Sequence, residues 1–532
     1  MSHRSLPILG SASRVLSAAA ILLATSVSGL DAQHVEEGPV TIDGLGTLHF
    51  PTSGSPHARG HFLRGVLLMH SFEYEDAAEA FRLAQEADPS MAMAYWGEAM
   101  THTHPVWNEQ DVDAAREALG RLAPSAEERL AAAADARERA WLETVETLYG
   151  EGEKAARDTA FSLAMGALAD AYPDDFEAQA FYALSLLGLS QGARVVPTYM
   201  RAGAIALELL EKNGDHPGAA HYVIHSFDDP AHAPIGLRAA RAYSRIAPNA
   251  GHAQHMTSHI FLASGMWGDV VAANERAMAV VNADLAARDL PPSSCGHYNI
   301  WLAYGYQQQG RLTDAETLVG GCLENSGDER LSEDRRARNG RSFAIMRTFY
   351  LTDAEAAAGF PADAELPARA EGLAGAMYAF GTGLAAARRG DIDALRAALD
   401  AVSSAGADIA DWTSGYRPIW KSTLEALAYE LDGDLDAAIA VAERGADTEA
   451  AMPIDFGPPY SFKPPRELEG ELLLRAGRSE EALAAFELAL GRTPKRAAAL
   501  RGYEAAAAAA GLIARAEWAR ATLDEITAED EE

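Results

Sequence analysis

Residues 59–89 read RGHFLRGVLLMHSFEYEDAAEAFRLAQEADP, and in them Gly65 is followed by Ala77, Phe81, Ala84 and Pro89 at offsets of 12, 16, 19 and 24. Residues 466–494, RELEGELLLRAGRSEEALAAFELALGRTP, place Gly470, Ala482, Phe486, Ala489 and Pro494 at the same offsets. The chain then starts the pattern once more with Gly502, Ala514, Trp518 and Ala521. Such a pattern specifies two packed helices. A small residue in the first helix lets the second come close. The residues that follow at these spacings share one face of the second helix and fill the contact. Proline then ends it.

Between the two ends the same layout is degenerate but legible. Turns at Gly265, Gly310, Gly390, Gly433 and Gly477 separate paired helical stretches, and the small-residue position falls on Gly97, Ile224, Ser258 and Ala303. The pattern resembles the tetratricopeptide repeat (TPR), a 34-residue helix-turn-helix unit. The resemblance implies an all-α, TPR-like α-solenoid of about eight to ten helical hairpins, curved around a concave groove. Two segments interrupt the helices, THTHPVWNEQD at residues 101–111 and MPIDFGPPYSFKPP at residues 452–465. Each is either a lid over the groove or a plain connector. The only strand signal, residues 40–50, predicts a short hairpin or an extended strap.

The expected layout is a signal peptide at 1–32, an extended segment at 33–57, and repeats carrying the groove at 58–350. Degenerate helical repeats follow at 351–451, then the proline-aromatic loop at 452–465, C-terminal repeats at 466–526 and an acidic tail at 527–532. The signal is read from His3, Arg4 and Arg14 ahead of the apolar run VLSAAAILLA, with a cut after Ala32. That run is too short to span a membrane, and no later stretch is long and apolar enough. A periplasmic or secreted protein is expected. The formal charge of −33 repels phosphate backbones, so nucleic acid is excluded as a partner. Cys295 and Cys322 flank one predicted hairpin at the same end, so in an oxidising compartment they either form a disulfide or remain two small buried thiols.

The sixteen histidines are not scattered. His221 with His225 and His255 with His259 are HxxxH pairs, and His252 lies one turn before His255. Residues four apart on a helix point the same way, about 5–6 Å apart, which lets two imidazoles share a metal. The repeat phase adds to this. In the tetratricopeptide family the ligand-facing positions lie at −6, −3, +1, +4 and +5 from the small residue. On that frame His221, His225, His252, His255, His259 and His297 all map to the groove, and His70, His102 and Glu98 join as additional groove positions. Asp228 and Asp229 follow His225 and could orient an imidazole or merely end the helix.

Imidazole without cysteine suits copper, iron or zinc with an open position, and argues against a closed zinc finger. The alternative is a metal-free groove that grips a peptide or protein. The blocks HPGAAHYVIHSFDDP (216–230), GHAQHMTSHIFLASGMWGD (251–269) and AMAYWGEAM (92–100) are similar to those of a group of bacterial secreted histidine-rich tetratricopeptide proteins. That resemblance implies the fold and the grouping of histidines and supplies no reaction. No P-loop, HExxH, GxSxG or dinucleotide fingerprint occurs in a fitting context, so whether the chain is an enzyme stays open.

Overall fold

The computed structural model describes residues 38–190, 194–354, 359–367, 370, 372–404, 415–454 and 456–528. The expected signal peptide at 1–32 lies outside the described residues, as do the start of the extended segment and most of the acidic tail.

Phe81 shows why the repeat spacing builds this fold. It projects from the helix Tyr74–Ala87 into the space left by two glycines, Gly65 on the helix Pro56–His70 and Gly97 on the helix Ala92–Met100. A Cβ on Gly65 would stand 2.7 Å from the Phe81 ring, and one on Gly97 would be tighter still. Phe486 repeats the arrangement between Gly470 and Gly502. The aromatic ring is therefore a spacer shared by consecutive hairpins, which is what the offsets of 16 and 32 encode.

Gly97→Ala is accordingly expected to destabilise. Overpacking costs about 1–3 kcal/mol, against about 1 kcal/mol gained in helix propensity, so the thermal midpoint should fall. Gly120→Ala is the control. It lies in the helix Val112–Leu122 with nothing within 4 Å of an added Cβ, and should raise the midpoint.

The described residues form twenty-four α-helices, nearly all packed on their neighbours in sequence, with several alternate helices also touching. This is a TPR-like α-solenoid of helix-turn-helix repeats. Gly310 and Gly390, two of the expected turns, sit at φ of 78° and 69°, where a side chain would be strained. Among the described residues, strand structure is confined to two short hairpins. In the first, Val40–Ile42 pairs antiparallel with Gly46–Leu48. It works as a strap: the Thr47 N–H donates to Asp215 O, and the Asn249 N–H donates to Gly44 O. These bonds clamp the entries to the helices Pro217–Phe227 and Gly251–Ala263.

Cys295 and Cys322 are bonded, with their Cα atoms 4.8 Å apart, on the hairpin of the helices His297–Gln308 and Leu312–Gly327. No helix among the described residues is long and apolar enough to cross a membrane.

Candidate metal centre

The helices Pro217–Phe227 and Gly251–Ala263 touch, and the start of His297–Gln308 meets the second of them. Helical spacing puts His221 and His225 on one face, and His252, His255 and His259 on the facing one. The rings crowd together. Centroids of His221 and His225 are 4.8 Å apart, His221 and His252 5.1 Å, His225 and His259 5.5 Å, and His255 and His297 4.6 Å. The structure therefore brings together all six histidines placed on the groove by the repeat phase.

The histidines are enclosed. His221, His225, His252, His255 and His259 are at most 4% exposed, and only His297 lies at an open rim. Aromatic side chains roof the face that the sequence left open. Phe72, held at φ 56° just after the first helix, lies against His221, His225 and His252. Trp107, from the 101–111 segment, meets His252 edge-on, and Phe456, from the 452–465 segment, stacks on His259 at 5.2 Å. Both interrupting segments thus lie on the histidines.

Hydrogen bonds fix which nitrogen carries the proton in His221, His255 and His259. His221 Nδ1–H donates to the carbonyl of His70 at 2.7 Å. His255 Nδ1–H donates to Asn274 Oδ1 at 2.6 Å, while Asn274 Nδ2 donates to Val270 O and so holds its amide in that orientation. His259 Nδ1–H donates to Asp228 Oδ2 at 3.0 Å. His225 Nδ1 is 3.6 Å from the same oxygen, and His252 Nδ1 is 3.2 Å from the Tyr298 hydroxyl. With Nδ1 protonated, Nε2 presents a lone pair.

Burial works against charge on four of the rings. It lowers His221, with His225 adding repulsion, and lowers His252 and His255 in the same way beside their own imidazole neighbours. His259 is also lowered by burial, even with Asp228 pulling the other way.

Two consequences follow. The Nε2 atoms of His221, His225 and His252 are buried without a hydrogen-bond partner. In addition, Nε2 of His255 faces Nε2 of His259 at 3.2 Å, lone pair to lone pair. That contact is repulsive unless a proton or a metal ion sits between the two nitrogens. Two nitrogens on one tetrahedral ion lie roughly 3.3 Å apart for bonds of about 2.0–2.1 Å.

The additional groove positions do not join the cluster. His70 directs Nε2 to Glu177 at 2.8 Å and Nδ1 to the Tyr222 hydroxyl at 2.8 Å, so only its backbone carbonyl reaches His221. His216 occupies the other Glu177 oxygen at 3.1 Å and caps its helix by accepting from the Ala219 N–H. All three side chains are satisfied as a strut between the first hairpin and the helix Pro217–Phe227. His102 fails because its helix ends at Met100, two residues before the +5 position. Glu98 is held by Gln85 at 2.6 Å and by Arg121 and Arg82. Of the two aspartates, Asp228 supports His259, whereas Asp229 binds His232 at 2.8 Å and caps the next turn. Asn274, Tyr298, Phe72 and Phe456 carry no motif, and sequence reading does not assign them to the site.

A cavity of about 420 Å³ opens beside the rim, lined by Trp107, His252, Met278, Cys295, His297 and Tyr298. A larger one, about 840 Å³, lies between Arg388, Lys463, Glu471 and Arg501, away from the histidines. Its Lys463 is already paired with Glu467 and Glu471.

Comparison with known proteins adds little. No known protein family matches the chain, and no curated protein matches it in sequence. Among solved structures, human IFIT1 aligns at 12% identity over 90% of this chain and 92% of its own, with a TM-score of 0.32. Yeast Tom70 aligns at 13% over 89% and 93%, with a TM-score of 0.27. The Cut9–Hcn1 hetero-tetramer of the APC/C aligns at 13% over 86% and 78%, with a TM-score of 0.31. Likeness at this level carries no argument, and the fold rests on the hairpins themselves.

Proposed function

We propose that the chain is an exported TPR-like scaffold that binds a transition metal through its buried histidines. The facing Nε2 atoms of His255 and His259, each with its Nδ1 committed to a neutral or anionic acceptor, carry this reading. Unpaired buried nitrogens are costly, and orienting partners on Nδ1 are what metal-bound histidines ordinarily have. Neutral imidazoles suit copper, iron or zinc. The adjoining cavity gives a small molecule a route to the rim, which fits ligand capture or metal-dependent chemistry. The roof of Phe72, Trp107 and Phe456 argues against a peptide gripped by these imidazoles. The Cys295–Cys322 bond and the signal-like first stretch support a periplasmic or secreted location.

The test is metal content by elemental analysis of untagged, exported protein. It is followed by thermal unfolding of the metal-free form with Cu(I), Zn²⁺ or Fe²⁺ added in turn. Near-stoichiometric metal and a raised midpoint are expected. If no ion is retained and none moves the midpoint, the proposal fails.

Asp228→Asn should weaken metal affinity about 10–100-fold, because the carboxylate that orients His259 is lost. Competition against a chelator of known affinity would measure the change. An unchanged affinity would remove Asp228 from the site.

A further inference from the structure

The six histidines do not form one site. Two all-histidine sets have nitrogens within 4.8 Å of one another, His221, His225 and His252, and then His255, His259 and His297, and a further group of His225, Asp228 and His259 bridges them. Among the described residues no fourth histidine joins either set. Donors on one ion are at most about 4.2 Å apart, twice a bond of about 2.1 Å. Six nitrogens spread over both sets therefore exceed a single coordination sphere. Each set also has its own support. His70 O and Tyr298 hold the first, and Asn274 and Asp228 hold the second. Asp228 Oδ2 reaches across to His225 as well, at 3.6 Å, and so ties the two sets at fixed spacing.

From this geometry, and resting on the metal-binding reading above, we infer a centre for two adjacent copper ions, one on each three-histidine set. Copper follows from the charge. All six ligands are neutral imidazoles. Of the nearby carboxylates, Asp228 is already paired with Arg194 at 2.5 Å, and Glu73 faces the backbone N–H of His252. Two divalent ions would bring four positive charges into a buried, nearly uncompensated site. Two Cu(I) ions bring two, and the cost of burying an ion grows with the square of its charge. Cu(I) also accepts three imidazoles and leaves each ion open to a further ligand. The cavity touches His252 from one set and His297 from the other, so a small molecule entering there meets both ions.

The experiment loads the metal-free full chain with Cu(I) without oxygen, removes loose copper with a chelator, and counts copper per chain. It uses a His57→Ala/His61→Ala background, because that exposed pair, with nitrogens 3.4 Å apart, would add surface copper. Two coppers per chain are expected, falling to one in His297→Ala and to one in His252→Ala, with circular dichroism unchanged. His297 is at the rim, so its variant is not exposed to folding loss. After oxidation to Cu(II) by ferricyanide, with azide added as an anion that offsets the extra charge, the paired ions should couple, and the paramagnetic signal should account for well under half of the copper. In His297→Ala it should account for all of it. One copper in the parent overturns the paired centre while leaving metal binding standing. No copper, with Zn²⁺ and Fe²⁺ also refused, overturns both. Two coppers with full signal intensity mean isolated sites and overturn the pairing.

Discussion

His259→Leu is expected to remove the stabilisation contributed by the ion on its own histidine set while leaving the metal-free protein close to its original stability. Removing a ligand should cost more than the roughly 10–100-fold that loss of a supporting residue costs. At a ligand concentration a thousand times its Kd, a bound ion adds about 4.1 kcal/mol of stability, and most of that should vanish. The metal-free effect has the opposite tendency. His259 is buried, and its Nε2 opposes that of His255 at 3.2 Å. Leucine removes this repulsion and fills similar volume between Trp301 and Phe456, whose rings lie 4.4 and 5.2 Å from the imidazole. Asp228 loses one donor but keeps Arg194. The two effects should leave the metal-free change within about 1–2 kcal/mol. Thermal unfolding with and without Cu(I) reads both numbers. A large loss in the metal-free form together with an unchanged metal response would mean that His259 is a structural residue. Variants that lose a binding site while gaining or keeping stability are the usual mark of a functional arrangement.

How much of this was readable beforehand follows from the range of each interaction. Gly65, Phe81 and Gly97 lie within one repeat period, and their contact is a matter of helical phase, so the spacing alone specified it. The clustered histidines were legible for the same reason, being four apart on helices that stack in register. The roof was not. Phe72 and Phe456 reach the histidines from hairpins far away in sequence, as does the His70 carbonyl, 151 residues from His221. Nothing local distinguishes Phe72 from any other core aromatic. Asp228 and Asp229 show the limit most closely. They are adjacent and alike, and only the turn of the backbone after Phe227 sends one to His259 and the other to His232. Glu98 satisfied the groove offset but met Gln85 and Arg121, because the helix Val112–Leu122 occupies that face.

The second large effect is expected at Arg496, remote from the histidines but connected to their roof. Its guanidinium is 1% exposed and donates to Glu467 at 2.8 Å, to Asp353 at 2.5 and 3.1 Å, and to the Tyr304 hydroxyl at 3.0 Å. Ala497 N–H donates to Gln308 beside it, and the Trp267 indole donates to Lys495 O. These bonds dock the C-terminal hairpins onto the helices His297–Gln308 and Glu333–Asp353. Arg496→Met leaves Glu467 and Asp353 buried without their main partner, a loss of about 3–5 kcal/mol. Lysine should rescue little of it, because one ammonium cannot reproduce the bidentate contact.

The effect carries a pH signature. Burial works against charge on Glu467, but Arg496 and Lys463 outweigh it and hold the carboxyl below the ordinary range. A carboxyl lowered on folding contributes in full above its unfolded value, and the contribution fades as pH falls through the folded one. The gap in thermal midpoint between the parent and Arg496→Met should therefore be widest at neutral pH and narrow below about pH 4, the ordinary carboxylate value. A gap that stays constant down to pH 3 would mean that the arginine acts by packing alone. Because the 452–465 segment precedes the docked hairpins and sets Phe456 on His259, the same variant should also release bound metal to a chelator faster. Unchanged release would show that the roof holds without the dock.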